Sequence, residues 1–284
     1  MSPFQRHIDA CNSLGSTAGL LPFSIAGSQV GWLGPELARA LAAHPRAVHL
    51  DAAGASLAGE LRSPAARSEA LAGIARGLAE RGHVRWRDEP FDVRAVPEGP
   101  VLATLDRGAL PAFGIRAAGV HVNGRVARSD GLHLWMGWRS RHKAVAPGQL
   151  DNLVAGGIPA GLDEQATLLK EAGEEASLPP ALARQARRVG RVSYAMRGEG
   201  GVRRDLLHCF DLDLPEGFEP RPNDDEVERF ELWPVRRVFE AVRDGDDVKF
   251  NVNLVLIDLF LREGLIDPDG AEGRALRAGL DRGC

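Results

Sequence analysis

Apolar positions along the chain change rhythm near its middle. Up to about residue 110, helical and extended spacings alternate. Residues 4–14 carry a helical pattern and residues 20–25 an extended one. Leu37, Ala38, Ala40 and Leu41 follow Pro35, which belongs in a first helical turn where its missing N–H costs nothing. Ser63-Pro64 opens a longer helix to about Glu80, and residues 85–93 are extended. From about Gly114, strands dominate: residues 115–122, a hairpin turn at Asn123-Gly124, then 125–127 and 132–139. Gly156-Gly157-Ile158-Pro159-Ala160-Gly161 reads as a loop that runs into a helix. The apolar stripe of that helix, Leu168, Leu169, Ala172 and Ala176, would pack on a sheet. A second helix follows Pro179-Pro180. Residues 189–196 and 206–214 read as strands, and 235–242 and 251–263 as helices. The apolar run 254–261, interrupted by Asp258, fits a buried helix rather than a membrane span. This order predicts an α/β protein: an α/β/α sandwich with a mixed sheet over residues 113–284, preceded by a smaller α+β N-terminal domain over 1–112.

The helix after the glycines carries Glu171, Glu174 and Glu175, at i, i+3 and i+4, on one face. Like charges so placed repel. Three carboxylates on one patch either form a solvated helix face or bind a hard divalent cation, which takes oxygen ligands and often substrate phosphates as well. Gly156 and Gly157 would let the backbone approach a ligand closely. The pattern points to metal-assisted chemistry on a phosphate anhydride. Arg139 and Lys143, just before the glycines, suit phosphate binding, by a planar fork and by a point charge respectively.

The same segment resembles the Nudix hydrolases, whose box reads G-x5-E-x7-R-E-U-x-E-E-x-G-U with U aliphatic. Anchored on Gly156, Lys170 takes the Arg place, Glu171 the next Glu, Glu174-Glu175 the Glu pair and Leu178 the last aliphatic. Leu162 stands where the first Glu belongs, Ala172 is a small aliphatic, and Ser177 replaces the last Gly. A wider resemblance, to the Nudix module fused to fungal thiamine pyrophosphokinases, rests on Asp151 to Ile158, Trp138-Arg139-Ser140, Pro147 to Leu150, Asn223 to Glu228, Phe250 to Asn253 and Trp86 to Phe91. It implies a Nudix fold and Mg²⁺- or Mn²⁺-dependent hydrolysis of a small-molecule diphosphate, thiamine diphosphate or its oxidised analogues, to a monophosphate and phosphate. The resemblance also implies Glu171, Glu174, Glu175 and the carbonyl of Ala155 as metal ligands. It implies Glu226 as a further carboxylate from a later loop, and Arg139, Lys143, Gly156 and Gly157 on the substrate. Two alternatives stay open: a Nudix hydrolase of a nucleoside-diphosphate-linked metabolite, and a non-catalytic Nudix-fold module that binds a metabolite.

Charge and composition narrow the partners. The formal net charge is −4 and no basic block occurs, so nucleic acid is not an expected partner. Three scattered cysteines form no CxxC pair and fit a reducing compartment, here the cytoplasm. No signal core or membrane span is expected, and the oligomeric state is left open. His121, His133, His142 and His208 lack ligand spacing and read as structural or surface histidines. Trp32, Trp86 and Phe91 suit either core packing or a wall against a planar substrate ring, and Tyr194 either core or pocket lining.

Overall fold

A computed structural model describes residues 2–198 and 200–283. The elements in chain order begin with α1 (Gln5–Cys11), β1 (Leu21–Ile25), β2 (Ser28–Leu33), α2 (Pro35–Leu41), β3 (Val48–Leu50), β4 (Ala55–Leu57), α3 (Pro64–Glu80), β5 (Pro90–Val93) and β6 (Ala103–Asp106). They continue with β7 (Arg116–Arg128), β8 (Gly131–Arg139), β9 (Leu150–Asp151), β10 (Val154–Gly157), α4 (Glu164–Ala176), α5 (Pro180–Ala183), β11 (Arg187–Gly198) and β12 (Gly201–Asp213). The last are β13 (Val227–Pro234), α6 (Val235–Asp244), α7 (Phe250–Arg262) and α8 (Ala271–Leu280).

The main sheet runs β11-β12-β7-β8-β13 and is mixed, because β12 lies parallel to β7 while the other pairs are antiparallel. Alternation along its strands sorts the side chains into two layers. Val120, Val122, Phe210 and Leu212 face α4 and α5, whose Leu168, Ala172 and Ala176 complete that core. Leu134, Met136, Leu207 and Cys209 face the opposite way, towards α6, α7 and α8. The molecule therefore has the expected mixed-sheet α/β/α sandwich. Residues 254–261 are buried within α7, as their run implied. Asp258 is accommodated there by ion pairs to Arg262 at 2.8 Å and Arg277 at 2.5 Å.

The sheet forks. β7 pairs with β8 only from Gly124 to Arg128, and its first half pairs instead with β10. β9 pairs with the far end of β8, so residues 150–157 fill the gap between two diverging strands. Leu153 packs over Gly124, where a Cβ would stand 2.5 Å from Leu153 Cδ2. This corrects the expected hairpin turn at Asn123-Gly124. β7 runs straight through both residues and turns at 129–130 instead. Asn123 is buried, donating to Asp211 Oδ1 at 2.9 Å and accepting from Asn152 Nδ2 at 2.8 Å. Those bonds hold it in the strand more firmly than its local preference holds a turn.

A third core lies among residues 23–115, built by the four-stranded sheet β2-β1-β4-β3, the pair β5-β6 and helices α2 and α3. Ser63 caps α3, its Oγ accepting from Ala66 N at 3.1 Å. α1 does not join this core: Phe4, Ile8 and Cys11 are buried with the residues of α7 and α8. Among the described residues, no helix is long and apolar enough to cross a membrane.

Candidate functional site

The acidic helix α4 starts at Asp163, whose Oδ1 accepts from Ala166 N at 2.7 Å. It ends at Ser177, which adopts the left-handed conformation with φ 52°. The Nudix box has glycine at that place, and the backbone explains why: only glycine takes such a φ without steric cost. α4 lies across β10. Glu175 is buried and accepts from Ala155 N at 2.9 Å. Glu171 packs over Gly156, where a Cβ would stand 2.5 Å from its Cγ and Cδ. Gly156 and Gly157 were expected in a loop open to a ligand, but both lie in β10, and their free space is filled from within. Glu171 occupies it at Gly156, and Phe91 at Gly157, where a Cβ would come 2.6 Å from the ring.

Burial raises the pKa of Glu175 well above the carboxylate range, and repulsion from Asp151, Glu171 and Glu226 adds to this against the opposing Ala155 N–H. Glu171 is raised for the same first reason, with Glu174 and Glu226 adding and Lys170 opposing. The ammonium of Lys170 stands 3.1 Å from Glu171 and 2.6 Å from Glu174. Among the described residues, no three carboxylate, imidazole or thiol groups converge closely enough to hold a metal. The chemistry of the donors nevertheless fits a hard divalent cation. They are carboxylate oxygens that repel one another, two of them are partly or wholly withdrawn from water, and a side-chain cation is already drawn between Glu171 and Glu174.

Glu226 comes from the loop before β13. Its carbonyl accepts from Ser140 N at 2.9 Å and its carboxylate meets Lys143 Nζ at 2.5 Å. Its charge adds to the repulsion that raises Glu171 and Glu175. Lys143 thus reaches this acidic group through Glu226. Arg139 is turned inward: Nη1 donates to Asp151 Oδ2 at 2.7 Å, Nη2 to Val145 O at 2.8 Å and Nε to Ala146 O at 3.1 Å. Its fork is committed to the protein and is not presented to a phosphate.

Beneath the glutamates lies a buried group that sequence reasoning did not assemble. Asp151 takes ion pairs from Arg139 and from Lys249 Nζ, the latter at 2.9 Å, while His121 Nδ1 lies 2.8 Å from Asn152 Oδ1. Burial would raise Asp151, but the neighbouring positive charges outweigh it and hold the carboxyl ionised below its usual range. Burial and Lys249 lower His121 to about 4 against the pull of Asp151, so it is neutral at pH 7. Asp151 and Lys249 are far apart in sequence; a bridge between Leu150 and Val248, with Lys249 N donating to Leu150 O at 3.0 Å, brings them together.

Of the aromatic candidates, Tyr194 is fully buried and donates to Asp205. Trp86 lies under Arg76, 5.0 Å from guanidinium carbon to ring centroid, and Trp32 pairs with Pro22 in β1. Phe91 lines a cavity next to the start of α4, together with Asp163 and Glu164.

A family model described as a domain of unknown function (DUF4743) matches residues 3–117. Nudix hydrolase 20, chloroplastic, of Arabidopsis thaliana is 41% identical over 212 residues, 74% of this chain and 57% of that protein. Nudix hydrolase 24, chloroplastic, of the same plant is 40% identical over 210 residues, 74% of this chain and 58% of that protein. Matches of that length cannot miss the glutamate helix. The chain spans somewhat over half the length of these relatives. A solved structure from Deinococcus radiodurans, DR0079, covers 67% of this chain and 98% of its own at 20% identity, with a TM-score of 0.45. The two plant sequences support placement of the chain in the Nudix hydrolase family.

Proposed function

We propose that the protein hydrolyses an organic diphosphate with a divalent cation, releasing a monophosphate and inorganic phosphate. The observation that carries the reading is the docking of α4 on β10, which gathers Glu171 and Glu175 against Ala155 and Gly156 with Glu226 beside them. The similarity to proteins named Nudix hydrolases supports it. Glu171, Glu174, Glu175 and the carbonyl of Ala155 would hold Mg²⁺ or Mn²⁺. When bound, that ion would neutralise diphosphate oxygens and make a bound water acidic. Glu226, held by Lys143, would accept the proton of the attacking water. Water adds to one phosphorus, the bridging P–O bond breaks, and the electron pair leaves on the other phosphate. Lys170 aligns Glu171 and Glu174. Arg139 acts at a distance by fixing Asp151 and the 145–146 turn.

Thiamine diphosphate and its oxidised analogues are the substrates favoured by the wider sequence resemblance. The resemblance and the separate core of residues 23–115 favour a division into an N-terminal domain, 1–112, and a hydrolase domain, 113–284. The buried free thiols of Cys11 and Cys209 suit a reducing compartment such as the cytoplasm. The test is release of inorganic phosphate from thiamine diphosphate and oxothiamine diphosphate, and of AMP and ribose 5-phosphate from ADP-ribose, with Mg²⁺ and with chelator. Metal-dependent release from at least one of them supports the reading. Release from none, by a folded protein that binds Mg²⁺, would favour a metabolite-binding module.

A further inference from the structure

Three large apolar side chains stand out as exposed among the described residues: Val96, Val145 and Leu162. Two of them, Val96 and Leu162, come from distant segments and line one cavity of about 220 Å³. Phe91 and Ile158 extend its apolar wall. Its rim carries the carboxylates of Asp92, Asp163 and Glu164, with Arg94 and Arg116 as its guanidinium groups. Both arginines are engaged, Arg94 with Asp92 at 2.8 Å and Arg116 with Ala95 O at 3.0 Å. On the carboxylate side, Glu164 is paired with Arg188 at 3.1 Å and with His208 at 2.9 Å, and Asp163 Oδ1 accepts from Ala166 N. The lining carries three carboxylates against two guanidinium groups and does not suit a phosphate. It suits an uncharged or positively charged ring bearing N–H donors, because an ionised carboxylate accepts at several sites even when one is taken.

The cavity is tied to the acidic site. Ala160 N donates to Pro90 O at 2.8 Å, fastening β5 to the segment that leads into α4. Leu162 and Glu164 thus line the cavity at one end of the helix whose other end carries the glutamates. From Glu164 to Glu171 the helix rises by about 10 Å. Leu162 also occupies the place where the Nudix box has glutamate, and a carboxylate there would replace apolar wall with a fourth acidic group.

We propose that this cavity receives the organic group of the diphosphate substrate, an amino-substituted heterocycle that is neutral or cationic, and that Leu162 and Val96 determine its acceptance. The proposal rests on the hydrolase reading for the identity of the ligand, but the cavity is testable without turnover. Leu162→Arg adds bulk and positive charge, and Val96→Ala trims an exposed wall with little risk to folding. Both are to be compared with wild type for kcat/KM on thiamine diphosphate and ADP-ribose relative to methyl diphosphate, which has no ring. Binding of thiamine and of adenosine is measured by calorimetry without metal. The expected result is that Leu162→Arg lowers the ring-to-ringless ratio at least tenfold, Val96→Ala lowers it less, and ring binding weakens in parallel. An unchanged ratio in both variants overturns the proposal. If wild type hydrolyses none of these diphosphates, the hydrolase reading fails and calorimetry decides alone. Ring binding weakened by Leu162→Arg then upholds the cavity, and no ring binding, or binding insensitive to both variants, overturns it.

Discussion

Glu175 is the most deeply buried of the candidate ligands, and among the described residues its one hydrogen bond comes from Ala155 N. Such a carboxylate is poorly explained by folding alone, since a neutral amide could accept the same bond. Glu175→Gln should therefore leave the thermal midpoint unchanged or higher, while kcat on the diphosphate falls by about a hundredfold or more. Parallel melting curves and steady-state rates check this, and a variant with near-wild-type turnover would remove Glu175 from the machinery. Gly156 gives a steric companion to this test. A Cβ there meets Glu171 at 2.5 Å, and the carboxylate must swing away from β10. Gly156→Ala should cost about 1–3 kcal/mol of stability and reduce turnover more than that loss explains, measured at a temperature where the variant is fully folded.

At the scale of elements, α4 is held by one good end and one strained one. Asp163 caps its start, whereas Ser177 at its end sits at φ 52°. Ser177→Gly should stabilise the protein by about 1 kcal/mol without changing kcat, read from denaturant unfolding. Helices were the legible part of this chain, because stripes such as Leu168, Ala172 and Ala176 and caps such as Ser63-Pro64 are written in neighbouring residues. The glutamate patch was legible for the same reason. Where a distant segment decides, the reading failed. Asn123-Gly124 has the local chemistry of a turn, but Asp211, Asn152 and Leu153 keep it in a strand. Gly156 and Gly157 look like loop glycines, but they are strand residues that make room for Glu171 and Phe91. β13 and α8 were not foreseen, and no short-range signal announces the cavity around Leu162.

On the scale of the whole molecule, stability should depend on acid in a defined window. Burial, with Arg188 and Arg191, lowers His208 to about 4 from the ordinary 6.5. The folded protein binds this proton less tightly than the unfolded chain. Its stabilising contribution is thus complete above pH 6.5 and is lost as pH falls through 4. The raised carboxyls of Glu171 and Glu175 act in the opposite sense, so the His208 contribution is read as a difference: the thermal midpoint of the wild type should fall more steeply across that interval than that of His208→Gln. The position of α1 has a consequence for how the chain is made. Its Phe4 and Ile8 are buried against residues such as Phe260 and Leu276, which a ribosome adds some 250 residues later. Once made, α1 must wait, with its apolar face uncovered, while the β1–β6 region can already fold beside it. Synthesis proceeds at about 5–20 residues per second, so that wait lasts on the order of ten seconds or more. Over this interval the N-terminal segment is a natural client for a chaperone, and a pause in translation before α7 should expose it longer and lower the yield of folded protein.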